Sequence, residues 1–120
     1  MKYYFLIITA IVLMASFFSC EKENQEDLSD TCGTQDVSFS NDVNPILTSN
    51  CTQCHNDQAA NGGVRLHNYE NVKIHADDGA LLGSIKHESG FSNMPQGQDK
   101  LAECNIAVIE AWINDGAQDN

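Results

Sequence analysis

Apolar residues recur at three- and four-residue steps along much of the chain after residue 40, and this spacing predicts helices. The clearest case is the last helix, which Gly116 is placed to end. A loop is expected at Asn61-Gly62-Gly63, because adjacent glycines interrupt helices. We expect no sheet of any size. The pattern predicts an all-α domain of about four helices, over residues 40–50, 69–76, 80–86 and 103–115.

The first nineteen residues carry a different pattern, with an almost unbroken apolar run over residues 3–18. Such a run is typical of a signal peptide and is slightly short for a membrane span. Ser19 and Cys20 at its end resemble a bacterial lipobox, whose cysteine becomes the lipidated N-terminus. We interpret residues 1–19 as a lipoprotein signal peptide and expect Cys20 to anchor the protein to a bacterial membrane, on its periplasmic or cell-surface side. Ordinary secretion with cleavage elsewhere and an uncleaved anchor are the alternatives, and both also place the remainder outside the cytoplasm.

Composition and charge narrow the function classes. The chain has 120 residues, enough for one domain, and 6 Lys and Arg against 17 Asp and Glu, a net charge of −11. This charge repels phosphate backbones and excludes nucleic-acid binding through a basic surface. Residues 21–30 are acidic with only Leu28 apolar, so we assign residues 20–35 as a lipid-anchored linker. Residues 36–120 hold few large apolar side chains, and so thin a core needs a disulfide, a metal ion or a cofactor.

A motif in the middle of the chain offers such a cofactor. Cys51-Thr52-Gln53-Cys54-His55 has the Cys-x-x-Cys-His pattern of c-type haem attachment. Cys51 and Cys54 would add to the two haem vinyl groups, and His55 would bind the iron as an axial ligand. Zinc is the main alternative, although the sequence lacks a second cysteine or histidine pair of the usual spacing. A redox Cys-x-x-Cys is the other alternative, and it lacks the strand and helix setting of a thioredoxin.

The second iron ligand has to come from another part of the chain. Met94 is the only methionine after the signal peptide, and it lies in an irregular Ser-Asn-Met-Pro-Gln-Gly loop that can project a thioether into a pocket. We expect Met94 to be the second axial ligand. His67, His75 and His87 are alternatives for bis-histidine ligation, and iron without a sixth ligand is also open.

Two cysteines remain, Cys32 and Cys104. An even remainder in an oxidising compartment predicts a disulfide between them. This bond would join the segment before the haem motif to the last helix. The alternative is a pair of free thiols.

The motifs along the domain are Val43-Asn44-Pro45-Ile46-Leu47, Cys51-Thr52-Gln53-Cys54-His55, Gly79-Ala80-Leu81-Leu82, Met94-Pro95 and Ile109-Glu110-Ala111-Trp112-Ile113-Asn114-Asp115-Gly116-Ala117. They resemble the small monohaem cytochromes c, especially lipoprotein modules whose final helix ends in Trp-Ile-x-x-Gly-Ala. The resemblance implies a cytochrome c-like domain over residues 36–120, with its helices wrapped around one covalently bound haem c and with His55 and Met94 as axial ligands. Gln96 and Ala102 depart from the family pattern, which often has a second proline and a helix-capping Ser at these places.

The activity that the resemblance implies is one-electron transfer between Fe(III) and Fe(II) outside the cytoplasm. We expect a carrier and not an enzyme, because no cluster of nucleophilic or acid–base residues stands out. Its partners would be redox proteins with a basic or mainly apolar docking surface. The alternative is that the acidic residues only keep the domain soluble. The alternatives are a haem-based ligand-binding or sensing module and an electron-accepting subunit of a larger redox enzyme. Arg65, Tyr69 and Trp112 could donate hydrogen bonds to haem propionates, although spacing does not assign them.

Overall fold

The computed structural model describes residues 31–120, so the predicted signal peptide and the lipidation site Cys20 lie outside the described residues. Four α-helices lie wholly within that range, which contains no strand, as the apolar spacing predicts. A π-helical turn runs directly into the first helix, and a 3₁₀ turn stands at the expected loop. The helices are α1 (Asn44–Asn50), α2 (Tyr69–Asp77), α3 (Ala80–Lys86) and α4 (Glu103–Asn114), and the turns are Phe39–Val43 and Asn61–Gly63.

The first helical segment begins with a reciprocal cap. The Ser38 hydroxyl accepts a hydrogen bond from the Asn41 N–H at 3.1 Å, and the Asp42 carboxylate accepts one from the Ser38 N–H at 2.8 Å. The N–H groups of Asp42 and Val43 both donate to the Ser38 carbonyl at 3.2 Å, which widens this turn to π geometry. The predicted helix over residues 40–50 is therefore present, but its first turn is not α-helical.

Helix α4 ends at the predicted glycine. Gly116 has a φ of 96°, and its N–H donates to the Ile113 carbonyl at 3.0 Å, while the Ala117 N–H donates to the Trp112 carbonyl at 2.9 Å. These two bonds form a Schellman motif, which satisfies carbonyls that the helix leaves without partners. At the other end Ala102 supplies no side-chain cap, so the first turn of α4 has none.

The core is centred on an aromatic cluster that joins the first helical segment, α2 and α4. Phe39, Tyr69 and Trp112 have ring centroids 5.2, 5.5 and 6.5 Å apart. The Tyr69 hydroxyl and the Trp112 indole N–H donate to backbone carbonyls of the segment after α4, at 3.0 and 2.9 Å. The Phe39 N–H donates to the Asn120 side chain at 2.8 Å. The two ends of the described chain are therefore packed together.

Helix α3 contacts both α2 and α4. Its apolar side chains Leu81 and Ile85 are buried in the core. A partly buried ion pair between Lys86 and Glu110 joins α3 to α4. Helix α3 is thus held by neighbours on two sides.

The predicted disulfide between Cys32 and Cys104 is present, with the two Cα atoms 4.9 Å apart. It links residues 72 positions apart in the chain. One end of this bond lies in the predicted linker, residues 20–35, and the other lies in the first turn of α4. The bond therefore fixes the end of the linker to the last helix.

Removal of this disulfide by Cys32→Ser with Cys104→Ser is expected to lower the free energy of unfolding by about 2–4 kcal/mol, because the unfolded chain gains entropy when a long loop opens. Urea unfolding followed by the fluorescence of Trp112, the only tryptophan, measures the change. Reductant should destabilise the native protein by a similar amount and leave the double variant unaffected. Equal stabilities of the native protein and the variant would contradict a stabilising role for the bond.

Candidate functional site

A cavity of about 660 Å³ lies between the end of α1, helix α3 and the loop before α4. Its volume is in the range of sites that hold a cofactor or another small molecule. Cys51, Cys54, His55 and Met94 all line it, although Met94 follows His55 by 39 positions in the sequence. The fold thus brings together the four residues that sequence analysis singled out for haem binding.

The cavity wall is uncharged. Among the described residues that line it there is no Lys, Arg, Asp or Glu, and the apolar part includes Leu66, Leu81, Ile85 and Leu101. The polar part consists largely of neutral amides and hydroxyls. These are Asn50, Gln53, Asn61, Ser84, Ser92, Gln96 and Gln98.

Helix α1 delivers the Cys-x-x-Cys-His segment to one end of this cavity. The Cys51 N–H donates to the Leu47 carbonyl at 2.8 Å, so Cys51 continues the last turn of α1. The N–H groups of Cys54 and His55 then donate to the Cys51 carbonyl at 3.1 and 3.0 Å. This tight turn holds both thiols and the imidazole within five residues. Both thiols are free; Cys51 is half-buried and Cys54 is exposed.

Burial raises the pKa of the Cys51 thiol from 9.0 to about 11, because the thiolate loses its hydration. Thioredoxin-like exchange uses a cysteine whose pKa is lowered, and zinc binds the thiolate form. The surroundings of Cys51 favour the neutral thiol instead. They therefore oppose thioredoxin-like exchange, whereas the zinc alternative is untouched, because a bound metal ion itself lowers the pKa of its thiol ligands.

A backbone carbonyl beside the His55 ring favours one of its tautomers. Its Nδ1 lies 3.4 Å from the Val64 carbonyl oxygen, and because a carbonyl only accepts, Nδ1 carries the hydrogen. The lone pair is then on Nε2, the atom left for a metal ion. The His55 carbonyl accepts from the Leu66 N–H at 2.7 Å, which fixes the backbone beneath the ring.

Backbone contacts also hold the Met94 loop against α3. The Met94 N–H donates to the Ser84 carbonyl at 3.1 Å, and the Met94 carbonyl accepts from Nε2 of His87 at 3.0 Å. Met94 itself is half-buried at the cavity wall. Its thioether is a soft ligand that needs no proton loss to bind a metal.

Gly83 and Phe91 form a part of the site that sequence analysis missed. Phe91 lines the cavity with 40% of its surface exposed, whereas Gly83 is buried in α3. A Cβ on Gly83 would lie 2.3 Å from the Phe91 ring, so only glycine lets the ring lie there. A glycine inside a predicted helix was the available signal, because such residues often mark a close approach.

Of the three alternative histidine ligands, only His75 lines the cavity. Its Nδ1 lies 3.6 Å from a carboxylate oxygen of Asp78. His67 instead lies 3.2 Å from the Asp57 carboxylate, and His87 bonds the backbone of the Met94 loop. The geometry thus narrows bis-histidine ligation to His55 with His75.

The three residues considered for propionate binding do not line the cavity. The Tyr69 hydroxyl and the Trp112 indole N–H donate hydrogen bonds to backbone carbonyls of the segment after α4. Arg65 pairs with Asp57 at 3.5 Å.

A second cavity, of about 340 Å³, lies beside the C-terminal end of α4 and contains none of the predicted site residues. Within residues 31–120, no three His, Cys, Asp or Glu side chains come together as a set of metal ligands. In the same part of the chain, no helix is both long enough and apolar enough to cross a membrane. No family model, curated protein or solved structure matches this chain.

The donor set of the larger cavity fits a covalently bound haem chemically. Cys51 and Cys54 offer neutral thiols, His55 offers the Nε2 lone pair, and Met94 offers a thioether. The uncharged wall suits an apolar ring. These four side chains would hold such a group.

In the haem-free protein, iodoacetamide is expected to modify the exposed Cys54 before Cys51. The thiolate is the reacting form, and a pKa of about 11 leaves only about one Cys51 in 10⁴ ionised at pH 7. Mass spectrometry of digested samples should show the rate at Cys51 rising about tenfold per pH unit until the pH approaches 11. In urea the difference should disappear. Equal modification rates of Cys51 and Cys54 in the folded protein at pH 8 would show that burial does not control the reactivity of Cys51.

Proposed function

We propose that this protein is a monohaem c-type cytochrome that carries single electrons outside the cytoplasm. Cys51 and Cys54 would hold the haem covalently, and His55 and Met94 would be its axial ligands. The supporting observation is that a haem-attachment motif and a distant methionine loop line one uncharged cavity. A cytochrome c-like arrangement of the four helices around the haem is part of this proposal.

Each residue of the site has a defined task in such a carrier. The Val64 carbonyl orients the His55 ring, and the contact with Ser84 orients Met94. Fixed ligands limit the structural change between oxidation states, which is what an electron carrier requires of its protein. Bound haem supplies the Fe(III)/Fe(II) change, with no bond made or broken in the chain.

Three features determine the direction in which the chain shifts the reduction potential. A thioether at Met94 raises the potential relative to a second imidazole. The uncharged wall acts the same way, because burial disfavours the extra positive charge of the ferric form. The acidic exterior opposes both, to an extent that salt screens.

Export and anchoring complete the proposal. The apolar run over residues 3–18 and Cys20 support a lipid anchor on a bacterial membrane. The Cys32–Cys104 disulfide supports an oxidising compartment. Cys-x-x-Cys-His motifs receive their haem in such a compartment.

The charge distribution favours a redox partner with a basic docking face. All four Lys and Arg side chains within residues 31–120 pair with carboxylates, whereas Glu88 and Asp99 beside the cavity-lining segments are exposed and have no ion pair. The field that reaches a partner is therefore negative. The four paired cations are Arg65, Lys73, Lys86 and Lys100.

An optical spectrum tests the proposed function. The full chain, produced in a bacterium with haem-attachment machinery, should give a c-type spectrum, one haem by the pyridine haemochrome assay and the weak near-red band of methionine-bound ferric haem. Cys51→Ala with Cys54→Ala should hold no covalent haem. Met94→His should lose the band and lower the reduction potential by on the order of 100 mV, because imidazole favours ferric iron.

Three outcomes would contradict parts of the proposal. A colourless protein would return Cys51, Cys54 and His55 to zinc or thiol chemistry. Covalent haem without the near-red band, or with rapid carbon monoxide binding, would favour His75 as ligand or a sensing function. A reduction potential that Met94→His leaves unchanged would show that Met94 is not an axial ligand of the iron.

Electron transfer with a lysine-rich partner cytochrome is expected to slow as salt rises, because ions screen the attraction between opposite charges. Stopped-flow rates should also fall several-fold in Glu88→Gln with Asp99→Asn. The matched control, Asp115→Asn with Asp119→Asn, removes the same charge at the C-terminus and should have a smaller effect. A rate that increases with salt, or equal effects of the two pairs, would show that the acidic residues do not direct docking.

A further inference from the structure

Helix α3 ends on a residue with an unusual backbone. His87 has a φ of 59°, in the left-handed region. The Glu88 N–H donates to the Gly83 carbonyl at 2.9 Å and the His87 N–H to the Ser84 carbonyl at 3.3 Å, so His87 occupies the place that glycine normally takes at a helix end. A side chain disfavours this conformation, so its presence calls for a compensating contact.

The His87 side chain makes such a contact with the Met94 loop. Its Nε2 lies 3.0 Å from the Met94 carbonyl oxygen, and because a carbonyl only accepts, Nε2 is the donor. The Met94 N–H donates to the Ser84 carbonyl at 3.1 Å. The last turn of α3 therefore holds the Met94 backbone at both its N–H and its carbonyl.

Packing and an ion pair fix the last turn of α3, which carries this contact. Ile85, in the same turn, is buried, and Lys86 pairs with Glu110 of α4. The loop around Met94 is less constrained by its own contacts, since most of its residues are exposed. The position of the Met94 thioether thus depends on the turn that ends at His87.

We propose that His87 is a positioning residue that holds Met94 at the cavity through its left-handed backbone and its hydrogen bond to the Met94 carbonyl. His87 does not line the cavity and acts only through Met94. The inference rests on the proposed function, because it assigns to Met94 the role of iron ligand. This role explains why a histidine stands at a helix end that normally favours glycine.

The test compares His87→Gly, His87→Ala and the control Asp36→Gly in the full-length haem-loaded protein. Both His87 variants remove the Nε2–H donor, but only glycine also adopts the left-handed backbone conformation without steric strain. Asp36 is another non-glycine residue with positive φ, 51°, and it does not line the larger cavity. Both His87 variants should weaken the near-red band and let added imidazole displace Met94 at about five- to tenfold lower concentration, the effect of losing about one hydrogen bond.

Thermal unfolding separates this role from a general loss of fold. His87→Gly should keep a Tm close to that of the native protein, because glycine is favoured at this helix end. Ligation should therefore weaken without loss of stability. Asp36→Gly should keep the native band and the native imidazole response.

Hydrogen exchange in the haem-free full chain gives a second readout. The Met94 N–H is bonded to Ser84, and both His87 variants should exchange it at least about fivefold faster than the native protein. If His87→Gly keeps the near-red band, the imidazole response and the exchange rate of the native protein, the inference is overturned. This holds even if His87→Ala is defective, because the left-handed backbone alone, and not the hydrogen bond of His87, would then position Met94. Native protein without the near-red band would overturn the ligand assignment, while the exchange rates would still decide whether His87 holds the loop.

Discussion

The structure depends on holding open a cavity that the chain's own side chains do not fill. The apolar side chains that line it have fewer packing contacts on the side that faces the cavity than they would have in a continuous core. The described part of the chain stabilises the walls from outside, through the Cys32–Cys104 disulfide, the aromatic cluster and the ion pair between α3 and α4. None of these residues lines the cavity. A group that filled it would add the contacts that this small domain lacks, so binding and stability would be coupled.

The helices and the Cys-x-x-Cys-His turn could be predicted because local interactions determine them. The four helices follow from apolar spacing, and two of their ends follow from nearby residues: α4 ends at Gly116, and α2 begins after Asn68, whose side chain accepts from the Asn71 N–H at 3.0 Å. The π turn before α1 was not predicted. It depends on the Ser38 carbonyl accepting from two successive N–H groups, which no residue pattern specifies.

The roles in the site that the sequence left open depend on contacts between distant segments. A count of residue types treats His87 as a candidate ligand, whereas its direction at the end of α3 makes it a donor to the Met94 loop. Residue type alone likewise made Tyr69 and Trp112 candidates for propionate binding. In the structure, however, both side chains donate hydrogen bonds to backbone carbonyls after α4. The presence of Met94 and His55 in one cavity follows from the packing of α3.

One property of the cavity acts on both the thiol and the proposed iron site. Burial raises the pKa of Cys51 to about 11 because the thiolate is deprived of water and meets no cation in the wall. A group buried against this wall, which offers no Lys, Arg, Asp or Glu, would likewise be disfavoured in its more highly charged form. A ferric iron held by His55 and Met94 carries one more positive charge than the ferrous form, so the wall that keeps Cys51 neutral would also favour the reduced iron. The exposed carboxylates, including Glu88 and Asp99, act across solvent and would oppose this effect to an extent that salt screens.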